Sequence, residues 1–142
     1  MAGADIDLGK VWLFSECSRS ELKSIQKKAK PRSVAAGTTI IDEGSVGQTF
    51  YFVVSGKAHV LRNGRKAAEI GPGGYFGELS LLDRLPRSAT VKASTDMELI
   101  EIEQRDFNQL LKESPSTVRK LLVATATRLR SADAKALAAS VH

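Results

Sequence analysis

Between Arg32 and Ile102 the chain is a succession of short β-prone runs, each ended by turn residues. Thr38-Thr-Ile-Ile41 precedes Asp42-Glu-Gly44, and Thr49-Phe-Tyr-Phe-Val-Val54 precedes Ser55-Gly56. Lys57-Ala-His-Val-Leu61 runs into Arg62-Asn-Gly-Arg65. There Asn63-Gly64 is a strong hairpin signal, because a type I′ turn needs positive φ at both central residues. Ala67-Ala-Glu-Ile70, Ala89-Thr-Val-Lys-Ala93 and Met97-Glu-Leu-Ile-Glu-Ile102 complete the series. Evenly spaced short strands with turn signals between them predict a β-sandwich or barrel, and a jelly roll fits.

The flanks read as helix. Val11-Trp-Leu-Phe14 is an apolar lead. Ser18-Arg-Ser-Glu21 has the pattern of a capping box, in which serine and glutamate satisfy each other's free amides. Pro31 is expected to end that first helix. After the strands, Phe107, Leu110 and Leu111 follow Asp106 as an amphipathic segment. Ser114-Pro115 then has the pattern of an N-cap with proline at the first helical position. Val118, Leu121, Leu122, Thr125, Leu129, Ala132 and Ala136 recur at helical spacing and predict a final helix of about 20 residues. The fold class expected is α+β: a jelly-roll barrel over about 32–102 and C-terminal helices over 105–139, one domain across all 142 residues.

One stretch, Gly71 to Val91, interrupts the β pattern with chemistry of its own. Gly77 lets the backbone approach a ligand closely, because it carries no Cβ. Glu78-Leu-Ser-Leu-Leu82 is short and apolar enough for one helical turn or two starting just after that glycine. The free N–H groups of such a start favour an anion. Arg87 brings a planar fork of donors that matches two phosphate oxygens. Ser88 brings one hydroxyl donor. Glu78 can only accept, which suits a sugar hydroxyl rather than a phosphate.

Phe76-Gly-Glu-Leu-Ser-Leu-Leu82 followed by Pro86-Arg-Ser-Ala-Thr-Val91 resembles the phosphate-binding cassette of cyclic nucleotide-binding domains. That family includes protein kinase A regulatory subunits, cyclic nucleotide-gated channels and bacterial catabolite activator proteins. The resemblance implies a jelly roll interrupted by the cassette at 71–91, with Glu78 on the ribose 2′-hydroxyl and Arg87 on the cyclic phosphate. Gly77, Leu79, Ser80 and Ser88 complete the implied site. Serine at position 88 accompanies cAMP more often than cGMP within the family, so cAMP is the expected regulatory ligand. Val60, Leu61 and Ala89 offer an apolar wall for the base and serve equally well as barrel core. In the last helix, bacterial activators place hydroxyl residues against the adenine amino group. Here Ala132 and Asp133 occupy those positions, leaving Arg128 and Asp133 as candidate base contacts. An i, i+3 pair between Arg130 and Asp133 explains the acid as well.

Composition bears on what else the chain could be. The net charge is +5, and Lys27-Lys-Ala-Lys-Pro-Arg32 is its densest basic patch. Leu22, Ile25 and Ala29 form an apolar stripe through the same segment, so these cations read as the solvated face of a helix. No aromatics interleave with them, so no direct nucleic-acid contact is expected. A single cysteine, Cys17, excludes an internal disulfide and fits a reducing compartment. No run is long and apolar enough to span a membrane, and the chain reads as soluble and cytoplasmic.

Enzyme chemistry finds little support. A cupin-like metal site needs several converging ligands, whereas only His59 and His142 are present. No nucleophile has a base beside it in sequence, so neither catalysis nor a metal is expected. The function expected is a regulatory sensor that binds a cyclic nucleotide and signals through its C-terminal helices to an effector domain or partner outside this chain. The long helix is also a candidate homodimer surface. Two other classes fit parts of the pattern: an interaction module that binds no nucleotide, and the sensor half of a DNA-binding transcription regulator.

Overall fold

The computed structural model describes Leu8, residues 11–77 and residues 86–141, with side chains of the last helix described as far as Ser131. A 3-10 turn (Trp12–Phe14) leads into helix α1 (Arg19–Lys28). The strands are β1 (Lys30–Val34), β2 (Thr39–Ile41), β3 (Thr49–Ser55), β4 (Ala58–Arg62), β5 (Arg65–Ile70), β6 (Tyr75–Phe76), β7 (Thr90–Ala93) and β8 (Met97–Glu103). Helices α2 (Gln104–Glu113) and α3 (Pro115–Val141) follow. The strands form two four-stranded sheets, ordered β1-β8-β3-β6 and β2-β7-β4-β5, and every pairing is antiparallel. This is the expected jelly-roll sandwich with helices at both ends of the chain.

Strand β3 sits inside the first sheet and is buried on both faces. Phe50 and Phe52 join Ile100 and Ile102 of β8 in a cluster with Leu13, Phe14, Ile25, Phe107, Leu110 and Leu121, so that face is covered by helices. Tyr51 and Val53 join Met97 and Leu99 in a second cluster with Ile41, Ala58, Val91 and Ala93 of the other sheet. Successive side chains of a strand point to opposite faces. A strand with apolar neighbours on both sides therefore shows the continuous run Phe-Tyr-Phe-Val-Val rather than an alternation.

The hairpin between β4 and β5 turns at Asn63 and Gly64, with φ of 52° and 78°, as a type I′ turn requires. Strands β1 and β6 were not foreseen. Helix α1 already stops at Lys28, and Pro31 lies inside β1 instead of terminating the helix. Strand β1 is at a sheet edge, where proline's missing donor is tolerated. The basic patch is partly balanced there: Lys30 pairs with Glu103 at 2.9 Å and Arg32 with Glu101 at 3.3 Å across β1 and β8.

Helix α1 begins on the expected capping box. Ser18 Oγ accepts from the Glu21 amide at 3.2 Å, and Glu21 Oε1 accepts from the Ser18 amide at 2.8 Å. A cap of this kind stabilises by about 1 kcal/mol. The Ser18 amide also holds the Glu21 carboxyl below its ordinary pKa.

Helix α3 is clasped at its base. Ser114 and Thr117, both fully buried, share a hydrogen bond of 2.8 Å, and Cys17 Sγ lies 3.3 and 3.2 Å from their hydroxyls. Lys120 Nζ donates to Ser15 Oγ at 2.9 Å, pairs with Glu16 at 3.1 Å and stands 4.5 Å over the Trp12 ring. The helix runs for 27 residues, longer than its apolar spacing suggested. Its Ala-rich tail has high intrinsic helix propensity. The packed face is also offset from the expected stripe. Ser114, Thr117 and Leu121 are buried, whereas Leu122 and Leu129 are 65% and 62% exposed. Among the described residues no helix is long and apolar enough to cross a membrane.

Candidate functional site

The second sheet, the end of β6 and the middle of α3 line a cleft of about 150 Å3 that opens to solvent. Its wall is the inner face of the sheet: Ile41 from β2, Val60 and Arg62 from β4, Ile70 from β5, Val91 from β7 and Ala89 just before it. Tyr75, Phe76 and Gly77 form one end, with Ser88 beside them, and Arg128 of α3 closes over the other side. The Arg128 guanidinium stands 5.4 Å from the centre of the Tyr75 ring, a cation–π distance. That contact brings the long helix to the cleft.

Arg87 lies behind this cleft rather than on its wall. Only 7% of the residue is exposed. Its Nη1 donates to the Gly77 carbonyl at 2.8 Å and its Nη2 to the Thr49 carbonyl at 2.8 Å. The Arg87 backbone is held as firmly. Its amide donates to the Ser45 carbonyl and its carbonyl accepts from the Gly44 amide, both at 2.8 Å. The loop after β2 thus clamps the main chain of Arg87 while the guanidinium ties that loop's far end to the turn after β6.

Two glycines make this packing feasible. Gly77 has φ of +93°, and a Cβ there would lie 2.8 Å from the Thr49 carbonyl oxygen and 2.9 Å from Arg87 Nη1. A Cβ on Gly47 would overlap Nε and Cζ of Arg87. Gly47 is a close-packing position against Arg87 that the sequence did not reveal. It stands in a loop with no motif around it, and only the path of Arg87 explains it. Gly47→Ala is therefore expected to push the guanidinium off both carbonyls and to weaken binding of an anionic ligand at the Gly77 end at least tenfold, about 1.4 kcal/mol. Calorimetric titration checks this, and wild-type affinity in the variant would show that Arg87 has room to spare.

Of the residues singled out from sequence, Gly77, Ser88, Ala89, Val60 and Arg128 converge on the cleft, and Arg87 backs its Gly77 end. Leu61 is not among the lining residues; alternation along β4 turns it away while Val60 and Arg62 face in. Glu78, Leu79 and Ser80 lie outside the described residues, as does the Asp133 side chain. Arg62, Ile41, Ile70 and Tyr75 line the cleft and were not foreseen as such. Alternation in β4 offered the one available signal for Arg62. His59 is a strand residue 4.0 Å from Glu69. Among the described residues no group of three or more His, Cys, Asp or Glu could hold a metal ion.

The family model described as "Cyclic nucleotide-binding domain" matches residues 31–114. This chain belongs to that family. A cyclic nucleotide-gated potassium channel of Mesorhizobium japonicum is 36% identical over 124 residues, covering 87% of this chain and 34% of the channel. A similar channel of Rhizobium etli is 37% identical over 111 residues, 76% of this chain and 31% of the channel. The chain thus spans about a third of these curated relatives. Among solved structures, the Thermus thermophilus catabolite activator protein superposes with a TM-score of 0.79 at 35% identity, covering 87% of this chain and 60% of that one. The cAMP-bound PfPKA-R gives 0.77 at 27% identity, covering 87% and 43%. Cyclic nucleotide-binding domains are typically regulatory and non-catalytic.

Proposed function

We propose that this cyclic nucleotide-binding domain takes cAMP in preference to cGMP and reports occupancy through helix α3. The observation that carries the reading is the guanidinium of Arg87, buried directly behind Gly77 at one end of an apolar cleft that α3 overhangs. A planar guanidinium matches two oxygens of a cyclic phosphate at the Gly77–Ser88 end. Such a phosphate competes for the donors that now go to the Gly77 and Thr49 carbonyls, which couples binding to the position of the turn after β6. Glu78 takes the ribose 2′-hydroxyl, and the backbone of Leu79 and Ser80 adds donors to the phosphate. Val60 and Ala89 face the base, and Ser88 favours cAMP. Arg128 and Asp133 are the candidates to cap the base from α3. No catalytic step is assigned to these residues.

Signalling follows from differential affinity: a ligand shifts two helix arrangements only as far as it binds one more tightly. Helix α3 is anchored at its base by Ser114, Thr117 and Lys120 and touches the cleft at Arg128. A ligand under Arg128 therefore acts on the stretch beyond the anchor. That stretch exposes Leu122, Val123 and Leu129, a surface for an effector segment, a partner protein or a second copy.

Calorimetry and thermal melting with cAMP and then cGMP test the reading. Ligand at about 100 times its dissociation constant stabilises the fold by roughly 2.7 kcal/mol, which raises the melting temperature by several degrees. Amide exchange over residues 115–137 should change alongside. Absence of heat and of any melting shift with both nucleotides would overturn the reading and leave an interaction module.

A further inference from the structure

We propose that Arg62 is a specificity-determining residue that reads the O6/N7 edge of the purine and so favours 6-oxopurine nucleotides. The inference rests on the reading of the cleft as a cyclic nucleotide site. Arg62 lies two residues beyond Val60 on β4, on the strand face that forms the cleft wall. Pairing of Leu61 with Thr90 sets it level with the start of β7, where Ser88 and Ala89 line the same cleft. The backbone there is held from two sides. The Asn63 amide donates to Glu43 Oε1 at 3.1 Å, and the Glu43 amide donates to Thr90 Oγ1 at 3.0 Å. Arg62 itself makes no hydrogen bond or ion pair with the described residues, so its donors are not committed to the fold.

The chemistry of the wall then sets a preference. Among the described lining residues, the only polar side chains apart from the Tyr75 phenol are those of Arg62, Arg128 and Ser88. A guanidinium donates and cannot accept. A 6-oxopurine presents two acceptors side by side, O6 and N7, which an arginine fork matches with two bonds. A 6-aminopurine presents one acceptor and one donor, and its amino group finds no partner in a guanidinium. Arg62 thus acts against the cAMP preference attributed to Ser88 and narrows the ratio between the two ligands.

Titration of cAMP, cGMP and cIMP into the wild-type chain, Arg62→Ala and Arg62→Gln tests this. cIMP carries O6 and N7 without the 2-amino group, so it isolates the edge in question. Arg62→Ala is expected to weaken cGMP and cIMP about tenfold while leaving cAMP within about twofold, in line with the value of a bidentate contact. Arg62→Gln, whose amide both donates and accepts, should shift the ratio further toward cAMP. Equal weakening of all three ligands would reduce Arg62 to a general attraction for the phosphate and overturn the proposal, as would unchanged affinities. If no nucleotide binds the wild-type chain, the cyclic nucleotide reading itself fails and this proposal with it.

Discussion

Arg87→Ala is expected to lower cyclic nucleotide affinity on the order of a hundredfold or more, the value of losing two charge-assisted hydrogen bonds to an anion. Two roles of one side chain account for the size of the effect. Arg87 is the cation best placed to meet a phosphate at the Gly77 end, and it also positions that end by bonding the carbonyls of Gly77 and Thr49. Removing it strands two carbonyl groups, each worth about 1–3 kcal/mol if left unsatisfied, so the melting temperature falls too. Titration well below the melting transition separates the two losses. Arg87→Lys sharpens the test. An ammonium keeps the charge but is not a planar fork, so binding should return only partly. A wild-type isotherm from Arg87→Ala would remove this residue from the site and with it the main support for the proposed function.

The largest loss of stability is expected from Phe107→Ala. Phe107 is fully buried on α2, and its ring centre lies 5.0 Å from that of Phe50 on β3. Phe50 in turn contacts Phe52 and Tyr75, at 5.8 and 5.6 Å. The ring therefore fastens the C-terminal helices to the aromatic row of the first sheet. Truncating a buried phenylalanine costs about 3–5 kcal/mol, which lowers the melting temperature by roughly 10 °C or more in a chain of this size. Urea melts should show an earlier midpoint with an unchanged slope. A shift of only a degree or two would mean that α2 is held elsewhere, and the anchoring of α3 through its junction with α2 would need another explanation.

Six of the eight strands were legible, β2 to β5, β7 and β8, because period-two patterning and turn chemistry are local. The same locality made the capping box at Ser18 and the Asn63-Gly64 turn readable to the residue. Strand β1 was missed because its only buried side chain is Val34, and an edge strand needs no apolar run. Helix α3 was foreseen but its face was not. Spacing identifies a stripe, while Ser114 and Thr117, polar and fully buried, take the packed face through mutual hydrogen bonds.

The candidate site divides along the same line. The residue types around Gly77 and Arg87 led to the expectation of a phosphate ligand, because a close-approach glycine and a guanidinium fork carry that chemistry in their covalent structure. By itself the sequence determined the family, the β-sandwich and the long helix that follows. Only the tertiary structure decided that Arg87 passes under Gly47 to the carbonyls of Gly77 and Thr49. It alone also put Arg62 on the same wall as Ser88 and brought Arg128 over Tyr75. Those contacts join residues far apart in the chain, and nothing in the local pattern encodes which loops will meet once both sheets have closed on one core.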